Sequence, residues 1–220
     1  MAKYQPLELP RGKAYGSNYY MTYSIKLQRN VILYSQLEYH NFLTLEMDPH
    51  VKDFCEQPLE IRTEIDNKIG QSVFDMWVYY DNDREEFQEV KYKKDLNMHI
   101  DGNNRVIEQI HKQKKWCQLN GYDYAIRTEE DIYFGPYYIS NLRYLHGLII
   151  RDMKCLSDTY IKQMIAHIKD SKVSVLILTQ TLNISMHDIF SIIAYGLYTG
   201  VLAADIDKTI LSYDTRIWVR

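Results

Sequence analysis

The chain has 220 residues, of which 46% are hydrophobic and 25% charged, a globular balance that allows one large domain or two small ones. A formal net charge of −3 excludes a generally basic, DNA-coating protein, so any DNA-binding surface must be local or assisted by partners. No apolar stretch approaches the roughly 20 residues that span a bilayer, and the first residues lack an apolar signal core. We therefore expect no membrane association.

The cysteines and histidines are not arranged as metal ligands. Cys55, Cys117 and Cys155 are far apart, no pair of them has the spacing of a zinc site, and the histidines are scattered. We interpret the cysteines as reduced thiols of a cytoplasmic protein.

The first half of the chain predicts a mixed α/β domain. Residues 1–30 are polar and tyrosine-rich, which indicates an extended N-terminal arm, and a helix is predicted from Ser35 to the Asp48-Pro49 step. Alternating or apolar runs then predict three strands, at 59–65, 73–80 and 86–92. A helix over 104–119, ended by Asn120-Gly121, and a strand over 122–127 complete the domain.

The last third predicts a second, smaller domain. Helical periods occupy 159–169, 174–181 and 186–198, and two short strands follow at 201–203 and 217–219. Three helices followed by a hairpin are the plan of a winged helix. We therefore predict a first domain at 1–155, with its N-terminal arm, and a winged helix at 156–220.

Two neighbouring strands carry charges where apolar side chains are expected. Asp75 lies between Phe74 and Met76, and Glu89 is followed two residues later by Lys91. If the turn is centred near Asn82, Asp75 stands opposite Glu89, and alternation places Lys91 on the same face. A register slip of one residue would separate these groups.

This pattern suggests a magnesium-dependent nuclease. Two facing carboxylates repel each other, and Mg²⁺, held by Asp75, Glu89 and the Val90 carbonyl, would supply the missing positive charge. Lys91 would then stabilise the negative charge that develops on the scissile phosphate. The alternative is an exposed hairpin face with a surface ion pair between Glu89 and Lys91.

Other residues near this hairpin have two possible roles. Glu38 faces the core side of the first helix together with Phe42 and Leu45, but Ser35 and Glu38 also form a capping box, in which Glu38 bonds back to the Ser35 amide. The basic residues that flank the site are either phosphate contacts or a solvated surface. They are Lys93, Lys94, Lys112, Lys114 and Lys115.

Several motifs together resemble the TnsA family, the endonuclease subunits of heteromeric bacterial transposons. The resemblance covers roughly residues 30–220. It is carried by the segments 35–43, 45–51, 54–58 (Phe-Cys-Glu-Gln-Pro), 74–75 (Phe-Asp), 89–91 (Glu-Val-Lys), 121–132 and 141–145.

The resemblance implies a restriction-endonuclease-like core, a mixed sheet flanked by helices, followed by a winged helix. It implies that Glu38, Asp75, Glu89 and Lys91 are catalytic, that Glu38 joins the metal ligands, and that Mg²⁺, with Mn²⁺ as a substitute, is the cofactor. The implied partners are transposon-end DNA, a TnsB-like DDE-type transposase and a TnsC-like AAA+ ATPase. The implied function is cutting of the 5′ strands at transposon ends, at the bacterial nucleoid.

The chain differs from the TnsA family at two positions, and two alternative functions remain. Many relatives have proline where this chain has Phe74, and some have glutamine where it has Glu89. The alternatives are another restriction-like nuclease, such as a junction resolvase, or a non-catalytic assembly factor that bridges the transposase and the AAA+ regulator.

Overall fold

A computed structural model describes residues 3–8, 19–65, 68–97, 104–152, 158–168 and 171–220. The chain divides into two compact units, Met1–Phe42 with His50–Ile132, and Leu43–Pro49 with Tyr133–Arg220. The predicted boundary after residue 155 lies outside the described residues, as does Cys155. The first unit ends at Ile132, and a helix at Tyr138–Asp152 belongs to the second unit.

The first 132 residues are rich in strands. In chain order they form β1 (Tyr20–Ser24), β2 (Arg29–Leu33), α1 (Gln36–Met47), β3 (Val51–Glu56), β4 (Glu60–Ile65), β5 (Lys68–Val73), β6 (Met76–Tyr80), β7 (Glu85–Val90), α2 (Asn104–Asn120), β8 (Asp123–Arg127) and α3 (Glu129–Ile132).

The central sheet has four strands in the order β3-β6-β7-β8. The first three are antiparallel, and β8 lies parallel to β7 after a crossover that contains α2. In the β6–β7 hairpin Met76 pairs with Gln88 and Tyr79 with Glu85, which is the register expected from a turn near Asn82. The hairpin prediction is therefore confirmed.

The three strands predicted at 59–65, 73–80 and 86–92 do not all belong to one sheet. Residues 60–65 pair with β5 in a separate two-stranded sheet, and β3 occupies the edge of the central sheet beside β6. The chain leaves β3 at Gln57, whose backbone has φ +39°, and Pro58 has no N–H to continue a ladder. The predicted arm over residues 1–30 also needs correction, because β1 pairs with β2 in a hairpin.

An aromatic cluster joins the central sheet to α2. The cluster is built on Phe74, Trp77 and Phe87, with Trp116 of α2 packed against Phe74 and Phe87 at ring-centroid distances of 5.6 and 5.5 Å. Phe74 is fully buried, and it therefore anchors the backbone directly before Asp75. Cys55 and Cys117 lie in the same core as free thiols, as predicted.

The second unit is mainly helical. After Tyr133 the chain forms α4 (Tyr138–Asp152), α5 (Asp158–Ile168), β9 (Val173–Ser174), α6 (Val175–Leu182), α7 (Met186–Tyr198), β10 (Leu202–Ala204) and β11 (Arg216–Val219). The predicted helices and the terminal hairpin are present, and β9 extends the hairpin to a three-stranded antiparallel sheet in the order β10-β11-β9.

Helix α7 lies in the core of this unit. Its residues Ile189, Phe190, Ile192, Ile193 and Leu197 are all buried, as expected for an apolar core helix. No single helix within the described ranges is long and apolar enough to cross a membrane; α6 and α7 pass that test only as a pair, on length and composition, with a bend of 113° between them.

Candidate active site

The end of the β6–β7 hairpin brings Asp75, Glu89 and Lys91 together. Asp75 lies in the bend between β5 and β6, and its Oδ2 accepts a hydrogen bond of 2.7 Å from the Val90 N–H. Lys91 Nζ lies 2.5 Å from Glu89 Oε1, 3.5 Å from Asp75 Oδ2 and 3.3 Å from the Val90 carbonyl oxygen. The ammonium group therefore sits at a point shared by three oxygen donors.

These three donors suit a hard cation. They are the two carboxylates and the carbonyl that the sequence indicated as Mg²⁺ ligands, and the ammonium shows that a positive charge fits among them. Across the described part of the chain there is no group of three or more His, Cys, Asp or Glu side chains gathered to hold a metal. Glu38 is thus not drawn into one ligand cluster with Asp75 and Glu89, and the ligand set that fits is two carboxylates plus one carbonyl.

Burial makes the negative charge of this cluster costly. Glu89 is fully buried, and burial together with the nearby Asp75 charge raises the pKa of Glu89 to about 8, although Lys91 opposes the rise. Burial alone would lower the pKa of Lys91, but the charges of Asp75 and Glu89 outweigh it and raise that pKa above its ordinary value. A further cation would stabilise both carboxylates in their charged form.

Glu38 caps a helix and also faces the site. The Ser35 hydroxyl accepts the Glu38 N–H at 3.1 Å, and Glu38 Oε2 accepts the N–H of Tyr34, not of Ser35, at 3.2 Å. Glu38 therefore caps the helix as predicted, but its carboxylate bonds to the Tyr34 amide, one residue before the expected Ser35 amide. Burial first, and then the Asp75 charge, raise the pKa of Glu38 to about 7. Glu38 and Asp75 line the same cavity, so the two roles coexist.

Two glutamines of α2 were missed in the sequence. Glu89 Oε1 accepts Gln109 Nε2, and Glu89 Oε2 accepts Gln113 Nε2, each at 2.7 Å. Gln113 is fully buried and stands four residues before the buried Cys117, so a polar residue on the apolar face of the helix was the available signal. These amides fix the orientation of the Glu89 carboxylate.

The cavity in front of the acids has a volume of about 410 Å³, and its α2 wall carries two basic residues and Glu108. Arg105 and Lys112 line it together with Glu38, Asp75 and Gln109. Lys112 was predicted as a DNA contact, whereas Arg105 was not. Arg105 could have been predicted from the sequence, because it lies seven residues before Lys112 and therefore on the same helix face.

The other predicted lysines lie elsewhere on the surface. Lys93 is exposed and pairs with Glu130 at 2.6 Å, and Lys94 is exposed with its Nζ 5.6 Å from the centre of the Tyr92 ring. Lys114 and Lys115 are exposed on α2. Of the five lysines, all within the described ranges, Lys112 lines the cavity.

A mixed sheet flanked by helices, with one carboxylate and a carboxylate-x-lysine at the end of a hairpin, is an arrangement typical of nucleases. Residues 48–129 match the family model described as the TnsA-like endonuclease N terminal. This match supports the resemblance found in the sequence: over residues 48–129 the chain is similar to the N-terminal endonuclease domain of TnsA-like proteins. The matched segment contains Asp75, Glu89 and Lys91, and Glu38 precedes it. No curated protein matches the chain.

Proposed function

We propose that the protein is the Mg²⁺-dependent endonuclease subunit of a transposase complex, and that it cuts the 5′ strands at transposon ends during cut-and-paste transposition. The observation that carries the metal dependence is the Lys91 ammonium, which contacts the Asp75, Glu89 and Val90 oxygens at 2.5–3.5 Å. The match to the TnsA-like endonuclease domain supports the transposon-end substrate.

We also propose the finer fold assignments. The order α1, three antiparallel strands, α2 and a parallel strand supports a restriction-endonuclease-like core. In the second unit, a helix, a short strand, two helices and a hairpin, with the sheet order β10-β11-β9, support a winged helix.

The residues of the site have distinct roles in this proposal. Asp75, Glu89 and the Val90 carbonyl would hold Mg²⁺, and Glu38 lines the same cavity as Asp75. When bound, Mg²⁺ supplies a Lewis acid and a more acidic water. Lys91 stabilises the negative charge that develops on the scissile phosphate, and Arg105 and Lys112 contact the DNA backbone from α2.

The partners follow from charge and family. Because the net charge is −3, we expect the isolated protein to bind DNA weakly and with strong salt dependence. A DDE-type transposase would place it on transposon ends. The second unit would dock the AAA+ ATPase. Since α7 is buried, the exposed apolar residues that could take part in docking include Leu176 and Ile177 of α6, which are 42% and 53% exposed. We place the protein in the cytoplasm, on the nucleoid.

The test combines the protein with the two proposed partners, a DDE-type transposase and an AAA+ ATPase. A transposon-end duplex carries a different label on each strand, and the reaction is run with Mg²⁺, with Mn²⁺ and with a chelator. We expect cutting of the 5′ strand only, with either metal and only when the transposase is present. Cutting at a defined position by the protein alone, or cutting of a four-way junction without partners, would instead favour the restriction-like or resolvase alternative. Absence of any cutting, with a normal complex formed, would favour the assembly factor.

A further inference from the structure

The Glu-Gln-Pro step after β3 contains a strained residue beside the site. Gln57 has φ +39°, a left-handed backbone conformation that is uncommon for any residue except glycine and asparagine. The residue is 3% exposed and is followed by Pro58, which further restricts its backbone. Such strain costs folding free energy and persists where the surroundings hold it.

Gln57 connects two acids that come from distant parts of the chain. Its backbone N–H donates to the Asp75 carbonyl oxygen at 3.1 Å, and its side-chain Nε2 donates to Glu38 Oε2 at 3.2 Å. Its own carbonyl oxygen accepts the Leu7 N–H at 3.0 Å, which fixes the peptide from the other side.

These contacts hold the Glu38 carboxylate at one oxygen. The Tyr34 N–H and Gln57 Nε2 both donate to Glu38 Oε2. Glycine at position 57 would make the same turn without strain, but it would donate nothing to Glu38. The glutamine side chain is therefore needed for the orientation of the acid and not for the turn.

We propose that Gln57 is a positioning residue, which holds Glu38 and Asp75 in place at the nuclease cavity through one strained peptide and one side-chain amide. The inference rests on the proposed nuclease function. It assigns Gln57 no contact with DNA, so its loss should lower kcat and leave KM for DNA unchanged.

The test compares Gln57→Gly with Gln28→Gly. Gln28 is also a non-glycine residue with positive φ, +53°, but it is exposed in the β1–β2 turn, where its side chain donates to the Ile25 carbonyl. For Gln57→Gly we expect a thermal midpoint close to that of the wild type, but a fall of about 10- to 100-fold in kcat. Gln28→Gly should change neither.

A second variant gives a pH signature. Gln57→Glu keeps the length of the side chain but replaces the amide donor by a carboxylate facing Glu38, so its loss of kcat should grow as pH rises and both groups ionise. A merely structural role would lower the thermal midpoint of Gln57→Gly and leave the kcat of its folded fraction intact, with no added pH dependence in Gln57→Glu. That result would overturn the proposal.

Wild type and Asp75→Ala are measured in the same series. If wild type cuts and Asp75→Ala does not, the nuclease function stands and the Gln57 variants test the positioning role alone. If wild type neither cuts with its partners nor binds Mn²⁺, the proposed function fails and the role of Gln57 falls with it.

Discussion

Two buried glutamates of the first unit are neutralised in different ways. Glu56, at the end of β3, receives both guanidinium nitrogens of Arg29 at 2.6 and 2.7 Å, so one cation serves one carboxylate. Glu89 shares the single ammonium of Lys91 with Asp75 and fills its remaining positions with neutral amides. The first arrangement is complete as an ion pair, whereas the second has more negative than positive charge in a buried place. That deficit marks the Glu89 region as a site for an added cation.

The largest effect on DNA cleavage should come from removing a carboxylate of the Glu89 region, where negative charge exceeds positive charge. Asp75→Ala should lower strand cleavage by at least about a thousandfold, because a metal site contributes several kcal/mol to transition-state stabilisation. The fold should remain, since Asp75 contributes a hydrogen bond to Val90 but no core volume. Cleavage in the reconstituted mixture with Mg²⁺, and circular dichroism as the folding control, measure the two effects. Normal cutting by a well-folded variant would exclude Asp75 from the site.

Breaking the ion pair between Arg29 and Glu56 should lower stability but not DNA cleavage. Glu56→Gln removes the charge that Arg29 needs, and because the Arg29 side chain is 30% exposed, we expect a loss of only about 1–3 kcal/mol in the free energy of unfolding. Urea denaturation measures it, with Glu130→Gln as the control, since that residue pairs with the exposed Lys93 and should change nothing measurable. Well below the midpoint, Glu56→Gln should still cut DNA. A catalytic loss as large as that of Asp75→Ala would erase the distinction between the two regions.

The buried Glu89 should also make the stability of the metal-free protein depend on pH. The pKa of Glu89 is raised from 4.5 to about 8, so the folded state binds more protons than the unfolded state between these values. Stability from this group is therefore fully present below pH 4.5 and is lost as pH rises toward 8. We expect the thermal midpoint to fall over this range, and the fall to be smaller in Glu89→Gln.

The control for this measurement is Glu60→Gln, an exposed glutamate of β4 whose substitution should leave the slope unchanged. Added Mn²⁺ should offset the loss at high pH, because a ligand that binds only the folded state stabilises it. Equal slopes in wild type and Glu89→Gln would contradict the account of a charge-deficient site.

Turn position and side-chain alternation were sufficient to predict the β6–β7 hairpin, but not to predict which strands lie beside it. The turn near Asn82 fixed the β6–β7 register, and so the sequence alone brought Asp75, Glu89 and Lys91 together. The same reasoning predicted a strand at 59–65 but did not show that it lies outside the central sheet, because periodicity identifies a strand but not its partner. Which strand lies beside β6 depends on the backbone of Gln57, a conformation that its residue type does not indicate.

The supporting side chains of the site are long-range contacts. Gln109 and Gln113 reach Glu89 across 20 and 24 residues of sequence, and Gln57 reaches Glu38 across 19. Amide side chains carry no charge, and a buried glutamine on the apolar face of α2 indicates a polar partner without identifying it. Only the packing of α2 on the sheet shows that this partner is Glu89. The charged residues of the site were therefore predictable, and the neutral ones that orient them were not.

The smallest expected effect concerns DNA binding, and it distinguishes a lysine that lines the cavity from a lysine that does not. Lys112 lines the cavity with the acids, whereas Lys114 is exposed two residues later, about 200° further around α2. If Lys112 neutralises a backbone phosphate, Lys112→Ala should reduce the salt slope of DNA binding by about one unit, and Lys114→Ala should leave it unchanged. Binding of the complete complex to an end duplex at several salt concentrations measures both slopes. An equal reduction in the two variants would mean that DNA approaches α2 over a wider surface than the cavity wall.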